Sequence, residues 1–394
     1  MTGAPVWVQR ADRYDPALCE AAVESLFASL DCTREIGPET KILLKPNLLA
    51  KAAPDQSVTT HPEIVRAVIR ACKRRGALCE NITVADSAGG IYNPGQMEAL
   101  YRVSGLADVC AAEGVCAYTT CETVIVPAQG KAAQQFEILR PVAQADFIID
   151  LPKLKTHVMT GLTAACKNLF GVIPGLKKAE WHMRYPDRER FGEMLIDLLE
   201  TVKPRMALLD AVVGMEGDGP SGGEPRSLGL LLASEDLPAL DLAAAHLIGL
   251  DPMRVPYLAA AQRRGLCGTA FEPGQLAGDT AAFVPPTPAW KLPVSFAQGG
   301  EGSTDFADMR FPGLLRPAAK AAEHLLAPHP VIRADKCIGC GKCAEVCPPK
   351  AAQVVEGRAR IEAKKCIRCF CCQEFCPKGA VTVHRPLLAR LLAK

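Results

Sequence analysis

Through residue 283 the chain alternates short unbroken apolar runs with longer stretches in which apolar residues return every three or four positions. KILLKP (41–46), ITVAD (82–86), TVIV (123–126), DFIIDL (146–151), RMALLD (205–210) and LGLLLAS (228–234) read as strands. Consecutive apolar positions in a strand need cover on both faces, which a sheet packed between helices supplies. HPEIVRAVIRACKRRG (61–76) has helical spacing and ends at Gly76, a residue suited to the left-handed turn that closes a helix. Strands alternating with helices predict an α/β body over 1–283, with a mostly parallel layered sheet. From 284 the pattern dissolves into VPPTPAWKLPVSFAQGGEGSTDF, rich in Pro and Gly, so 284–330 is expected to be a linker and 331–394 a separate small α+β unit.

A chain of 394 residues with 49 % hydrophobic and 22 % charged positions can bury a sizeable core. Aromatics supply only 5 %, so Ala, Leu and Val must fill most of it. The start, MTGAPVWVQRADRYDP, lacks a basic segment followed by an apolar run, and no stretch has the length of a membrane span, so a cytoplasmic protein is expected. Half of the 18 cysteines lie in the final unit at metal-ligand spacing, which favours a reducing compartment over a disulfide scaffold. Residues 331–394 hold 13 Lys and Arg against 5 Asp and Glu, a net of +8, while the rest of the chain carries −6. A basic tail can meet the acidic body or an acidic redox partner. There is no Arg-rich arm and no aromatic-interleaved basic stripe, which argues against a nucleic-acid partner.

The tail holds the most specific signal. Cys337, Cys340, Cys343 and Cys347 precede Pro348, and Cys366, Cys369, Cys372 and Cys376 precede Pro377, each set spaced C-x2-C-x2-C-x3-C-P. Corresponding cysteines are 29 positions apart, and PKAAQVV after the first run parallels PKGAVTV after the second, so the unit is an internal duplication. Three thiolates on a tight loop cap three irons of a cubane, while the fourth reaches the other cubane. By that rule one [4Fe-4S] cluster takes Cys337, Cys340, Cys343 and Cys376, and the second takes Cys366, Cys369, Cys372 and Cys347. Gly339 and Gly341 keep the first loop free of side chains. Paired C-x2-C motifs also bind zinc, but two complete four-cysteine runs with trailing prolines fit iron–sulfur ligation better. Cys371 falls outside the repeat and is assigned to packing beside the second cluster. This segment resembles a bacterial two-cluster ferredoxin, and the resemblance implies one-electron transfer.

In the body, polar residues collect where strands end, the usual location of ligands in α/β sheets. KPN brings Lys45 and Asn47, and DSAGG brings Asp86. PKLKTH brings Lys153, Lys155 and His157, and TAACKNLFGVIPGLKKAEWH brings Cys166, Lys167, Asn168 and His182. DAVVGMEGDGPSGGEP adds Asp218 in a glycine-rich loop that lacks a P-loop lysine and carries acids, so it suits a divalent cation or polar ligand better than phosphate. His157, His182 and Lys167 are suited to bind and protonate an anionic substrate, against the plainer reading of ordinary hydrogen-bonded residues. Lys167 beside Cys166 would lower a thiol pKa, making Cys166 a candidate nucleophile or metal ligand. The other eight body cysteines form no C-x2-C pair and read as small hydrophobes.

KPN, KLKTH, the following KN and PG with a later histidine, and GDGP-GG, in that order over roughly residues 5–250, resemble the prokaryotic family called domain of unknown function 362. The resemblance implies an iron–sulfur protein whose body has no assigned reaction, with a site at Lys45, Asn47, Lys155, His157, Lys167, Asn168, His182 and Asp218. Three roles fit: an electron carrier; an oxidoreductase whose clusters feed a substrate or further cofactor in the body; and a maturation factor that hands iron–sulfur units or metal to a client. No G-x-G-x-x-G fingerprint and no nucleophile elbow is present. The leading expectation is ferredoxin-type electron transfer.

Overall fold

Asp15 starts the first helix by accepting the backbone N–H groups of Ala17 and Leu18, and Pro16 follows with a φ already set for helix. The computed structural model describes residues 4–296, 327–384 and 386. The body begins β1 (Val6–Arg10), α1 (Pro16–Ser29), β2 (Ile42–Pro46), α2 (Pro62–Arg74), β3 (Ile82–Val84), α3 (Pro94–Val103), α4 (Leu106–Glu113) and β4 (Cys116–Ala117). Next come β5 (Thr123–Pro127), β6 (Gln135–Leu139), α5 (Arg140–Gln144), β7 (Phe147–Leu151), β8 (Lys153–His157), β9 (Gly161–Thr163), α6 (Ala165–Asn168), α7 (Lys177–Arg184) and α8 (Arg188–Val202). It closes with β10 (Met206–Glu216), β11 (Glu224–Ser234), α9 (Leu237–Leu247), α10 (Pro256–Arg263) and β12 (Leu276–Gly278).

The central sheet runs β12-β1-β11-β10-β7-β2-β3-β4, with β8 and β9 attached beside β10. Pairs from β10 through β4 are parallel, whereas β11 is antiparallel to both β10 and β1. The alternation of side chains explains the unbroken apolar runs. On β2, Leu43 enters one core while Ile42 and Leu44 enter the other; on β10, Ala207 and Leu209 face one side and Met206 and Leu208 the opposite. One core is filled by α1, α2 and α4, the other by α6, α8, α9 and α10, so the body is an α/β/α sandwich.

Several expectations shift in detail. The helix expected over 61–76 spans Pro62–Arg74, because His61 is its N-cap and Gly76, at φ +90°, turns the chain away. TVIV is a strand but pairs only with β6 in a separate hairpin. LGLLLAS is the inner half of the longer β11, which returns directly from β10 through the glycine-rich loop; a direct return of this kind makes the pair antiparallel. Part of the expected linker belongs to the body: Trp290 and Phe296 are buried, Trp290 against Gly214 and Phe296 against Gly161 and Leu250. Residues 297–326 lie outside the described part.

The C-terminal unit has β13 (His329–Ile332) paired antiparallel with β16 (Val381–His384), and a hairpin of β14 (Ala352–Val355) and β15 (Arg358–Ile361). Two single-turn helices, α11 (Lys342–Glu345) and α12 (Cys371–Glu374), occupy equivalent places in the repeat. The backbone records the duplication as well. Gly339 and Gly341 take φ of +67° and +78°, and 29 positions later Arg368 and Phe370 take +56° and +59°. Lys350 and Gly379, each three residues past a fourth cysteine, are a third such pair at +54° and +56°.

Candidate functional site: a basic pocket closed by the cluster unit

Two cavities in the C-terminal unit are each ringed by four cysteines. Cys337, Cys340, Cys343 and Cys376 line one of about 350 Å³. Cys347, Cys366, Cys369 and Cys372 line another of about 300 Å³. Sulfur atoms in both sets accept backbone N–H groups: Ala359 to Cys337 at 3.4 Å, Ala380 to Cys376 at 3.2 Å and Ala352 to Cys347 at 3.4 Å. The N–H groups of Ala359 and Gly339 hold the Cys337 thiol below its ordinary range, as a thiolate ligand requires. Free thiols around an enclosed space with N–H groups aimed at sulfur fit a [4Fe-4S] group. Each four-cysteine set draws three members from one repeat and one from the other.

The cluster unit docks on the body through the glycine-rich loop. Gln373 Nε2 donates to the Asp218 carbonyl at 2.6 Å, and the Ser221 hydroxyl donates to the Glu374 carbonyl at 2.9 Å. A side chain at Gly222 would place its Cβ 2.5 Å from Gln373 Nε2. This contact accounts for Gly222, while Gly219 and Gly223 lie against the carbonyls of Thr156 and Glu216. The Asp218 carboxylate accepts the Val294 N–H at 2.8 Å, and among the described residues no three His, Cys, Asp or Glu side chains converge as a single ion requires. A cubane escapes that requirement, because its four thiolates bind four different irons.

Docking closes a pocket over the carboxyl ends of the parallel strands. It has about 680 Å³ of free space, its mouth included, and is walled by Asn47, Asp86, Lys155, His157, Lys167, Asn168, Lys178 and His182 from the body, and by Cys371, Glu374 and Phe375 from α12 and its end. Beneath it, Lys155 Nζ donates to Asn47 Oδ1 at 3.0 Å and to the Val58 carbonyl at 2.7 Å. Asn47 Nδ2 donates to Asn168 Oδ1, and Asn168 Nδ2 to Asp150 Oδ1, each at 2.8 Å. Lys45 lies outside the lining and is spent on Asp86, 3.1 Å from Oδ1. Gly171 makes that pair possible, since a Cβ there would lie 1.9 Å from the carboxylate.

Burial acts on every cation of the pocket. It drives Lys155 and Lys178 down to about 7, His157 to about 4 and His182 to about 3, and it lowers Lys167 as well. His157 Nδ1 accepts the Met159 N–H at 3.0 Å, so the ring proton resides on Nε2, which sits 3.1 Å from Glu374 Oε1. The N–H does not point along that line, so the contact is electrostatic and Glu374 Oε1 receives no formed hydrogen bond. Burial alone would raise the Glu374 carboxyl. The polar contact with His157 and the positive charge of Lys167 reverse this and hold it ionised.

Cys166 does not join the pocket. It is fully buried in the α6 and α9 core, where burial and the neighbouring Asp241 push its thiol well above the ordinary range. Adjacency to Lys167 in sequence misled because successive helix residues point about 100° apart. Lys153 also lies elsewhere: its ammonium meets Asp210 at 2.9 Å beside Tyr14, which stacks on His61. Sequence reasoning missed Lys178, whose only signal is the KK pair at 177–178, and missed Glu374 and Phe375, which carry no signal until the two units meet.

The fold and the paired cysteine cavities thus define an α/β protein with an appended iron–sulfur unit. Residues 329–377 match the 4Fe-4S dicluster domain. Residues 42–246 match the profile described as domain of unknown function 362, and the chain belongs to that family. It is 32 % identical over 297 residues, covering 72 % of this chain and 86 % of the other, to the thylakoid-associated protein sll1697 of Synechocystis sp.. Among solved structures, the lactate racemase apoprotein of Thermoanaerobacterium thermosaccharolyticum aligns with a TM-score of 0.40 at 10 % identity, over 63 % of this chain and 58 % of that one. A Thermotoga maritima protein aligns with 0.37 at 13 % identity, over 64 % and 60 %. Among the described residues no helix is long and apolar enough to cross a membrane.

Proposed function

We propose that this protein carries single electrons through two [4Fe-4S] clusters and exchanges them with an anionic ligand in the basic pocket. Cys337, Cys340, Cys343 and Cys376 would hold one cluster, and Cys347, Cys366, Cys369 and Cys372 the other. The clusters supply one-electron oxidation and reduction. The reading rests on α12, where Cys372 lines a cluster cavity while its neighbour Cys371 and Glu374 line the pocket. One helical turn therefore separates a cluster ligand from the pocket interior.

The body's residues bind and orient. Lys155, Lys167 and Lys178 supply positive charge, His157 presents an N–H, and the Asn47–Asn168–Asp150 chain fixes Lys155. At the other cavity Cys340 is exposed, Ile338 is 60 % exposed, and Lys336 and Lys378 lie open beside them, a basic surface suited to an acidic redox partner. Eighteen unbridged cysteines suit a reducing, cytoplasmic setting.

Anaerobically purified protein is expected to contain about eight irons with matching sulfide, and to show two interacting spins by low-temperature paramagnetic resonance after dithionite reduction. An anion added to the reduced protein should perturb one of the two signals. Zinc in place of iron, or signals indifferent to every anion tried, would sink the reading.

A further inference from the structure

The pocket gathers positive charge and N–H donors that the protein itself leaves incompletely matched. Lys167 is nine-tenths buried; its ammonium stands 5.7 Å from the Phe170 ring centre and makes no hydrogen bond among the described residues. His182 is 3 % exposed, held between Phe191 and Phe170, and its Nδ1 has no partner. His157 Nε2 carries a proton without a well-aimed acceptor. Leaving a buried donor such as His157 Nε2 or His182 Nδ1 unpaired is costly, and native folds seldom keep several together without a reason. The body's acids are partly occupied: Asp86 Oδ2 accepts the Leu48 N–H and its Oδ1 lies 3.1 Å from Lys45, while Asp150 Oδ1 accepts from Asn168; among the described residues Asp86 Oδ1 and Asp150 Oδ2 accept no formed hydrogen bond.

Glu374, among the acids that line the pocket, comes from the other unit and stands against His157. Its Oε1 is buried, 3.1 Å from His157 Nε2, and accepts no hydrogen bond. A carboxylate that accepts no aligned hydrogen bond, standing among donors without partners, marks the place of a better-fitting one.

We infer that the pocket is a binding site for a small carboxylate, and that Glu374 is a built-in competitor which the ligand displaces from His157 and Lys167. The inference rests on the pocket being the ligand site of the reading above and names its ligand class. A carboxylate set between Lys167 and His157 Nε2 has acceptors for both donors, and its second oxygen faces His182. The cations of Lys155 and Lys178 behind them suit a second negative group on the same molecule. Displacing Glu374 turns it toward the neighbouring cleft, whose lining it already shares.

The test is calorimetric titration of the cluster-loaded, full-length protein with malonate and, separately, with inorganic phosphate under anaerobic conditions. Malonate should bind, Glu374→Gln should tighten it about tenfold by removing the competing charge, and Lys167→Met should weaken it by at least as much. Iron content measured on each variant shows that the clusters are retained. Phosphate binding tighter than malonate, equal affinity in Glu374→Gln and the unaltered protein, or no binding of either anion would each overturn the inference. The electron-transfer reading fails separately: malonate that binds with this variant pattern yet leaves both cluster signals untouched would spare the inference and remove the reading.

Discussion

Phe375 covers Gly89 so closely that a Cβ on the glycine would stand 1.9 Å from the ring. This approach between cluster unit and body lies on the wall common to the pocket and the larger cleft beside it, which has about 2130 Å³ of free space, its mouth included. Gly89→Val should therefore lift α12 off the body without touching a cluster ligand. Iron content should remain unchanged while hydrogen exchange speeds up at Ser221 and Gln373. Retained protection at both would show that the ring can move aside.

Cross-ligation predicts an asymmetric loss. Cys347→Ala removes a wall of the cavity formed by Cys366, Cys369 and Cys372, although Cys347 lies in the first run. Iron should fall by about half, with the signal of the cluster beside the pocket lost. Loss of the outer cluster alone would show that each run serves its own cavity.

Anion affinity should fall as pH rises through about 7. Burial places Lys155 and Lys178 at about 7, so each is charged below that value and neutral above it, and an anion favours the charged forms. The neighbouring charges pull in both directions: Lys167 and Lys45 lower these groups, while Glu374 and Asp86 raise them. His157 and His182, near 4 and 3, stay neutral from pH 6 to 9 and add no slope. Titrations across that range should show the decline, and Lys155→Met should flatten it. Affinity that climbs with pH would contradict the assignment.

Lys350 is an exposed residue held at φ +54°, where its counterpart in the repeat is Gly379. Left-handed backbone costs a residue with a Cβ about 1–2 kcal/mol, partly offset by the entropy glycine loses on folding. Lys350→Gly should stabilise the cluster unit by up to ~1 kcal/mol in a denaturant titration. Destabilisation would mean that the lysine side chain makes a contact worth more than the strain.

Much of this was legible because it is local. The eight cysteines that ring the two cavities announce themselves through spacing alone, the pattern by which one short loop and one returning residue grip a cubane. Lys155, His157, Lys167, Asn168 and His182 line one pocket, and their grouping was legible because strand ends and the turns after them form crevices in layered sheets. Asp218 lies outside the pocket lining: its carboxylate accepts the Val294 N–H and its carbonyl accepts from Gln373, a partner 155 positions away that no local pattern reveals. Glu374 and Phe375 were invisible because their roles exist only across the docked surface. Trp290 and Phe296 sit in a Pro-rich stretch without periodicity, so nothing in the pattern marked them as core.

The duplication has a last consequence. The two halves match in backbone and keep Cys343 and Glu345 as Cys372 and Glu374, yet Lys342 and Val346 stand where Cys371 and Phe375 stand 29 positions later. Glu345 pairs with Lys342 at 2.8 Å in the larger cleft, whereas Glu374 enters the pocket. A two-fold repeat has no preferred direction. These two exchanges break the symmetry: Cys371 and Phe375 bring a thiol and a ring to the pocket wall where the first half offers Val346 alone, so the two cysteine-lined cavities face different surroundings.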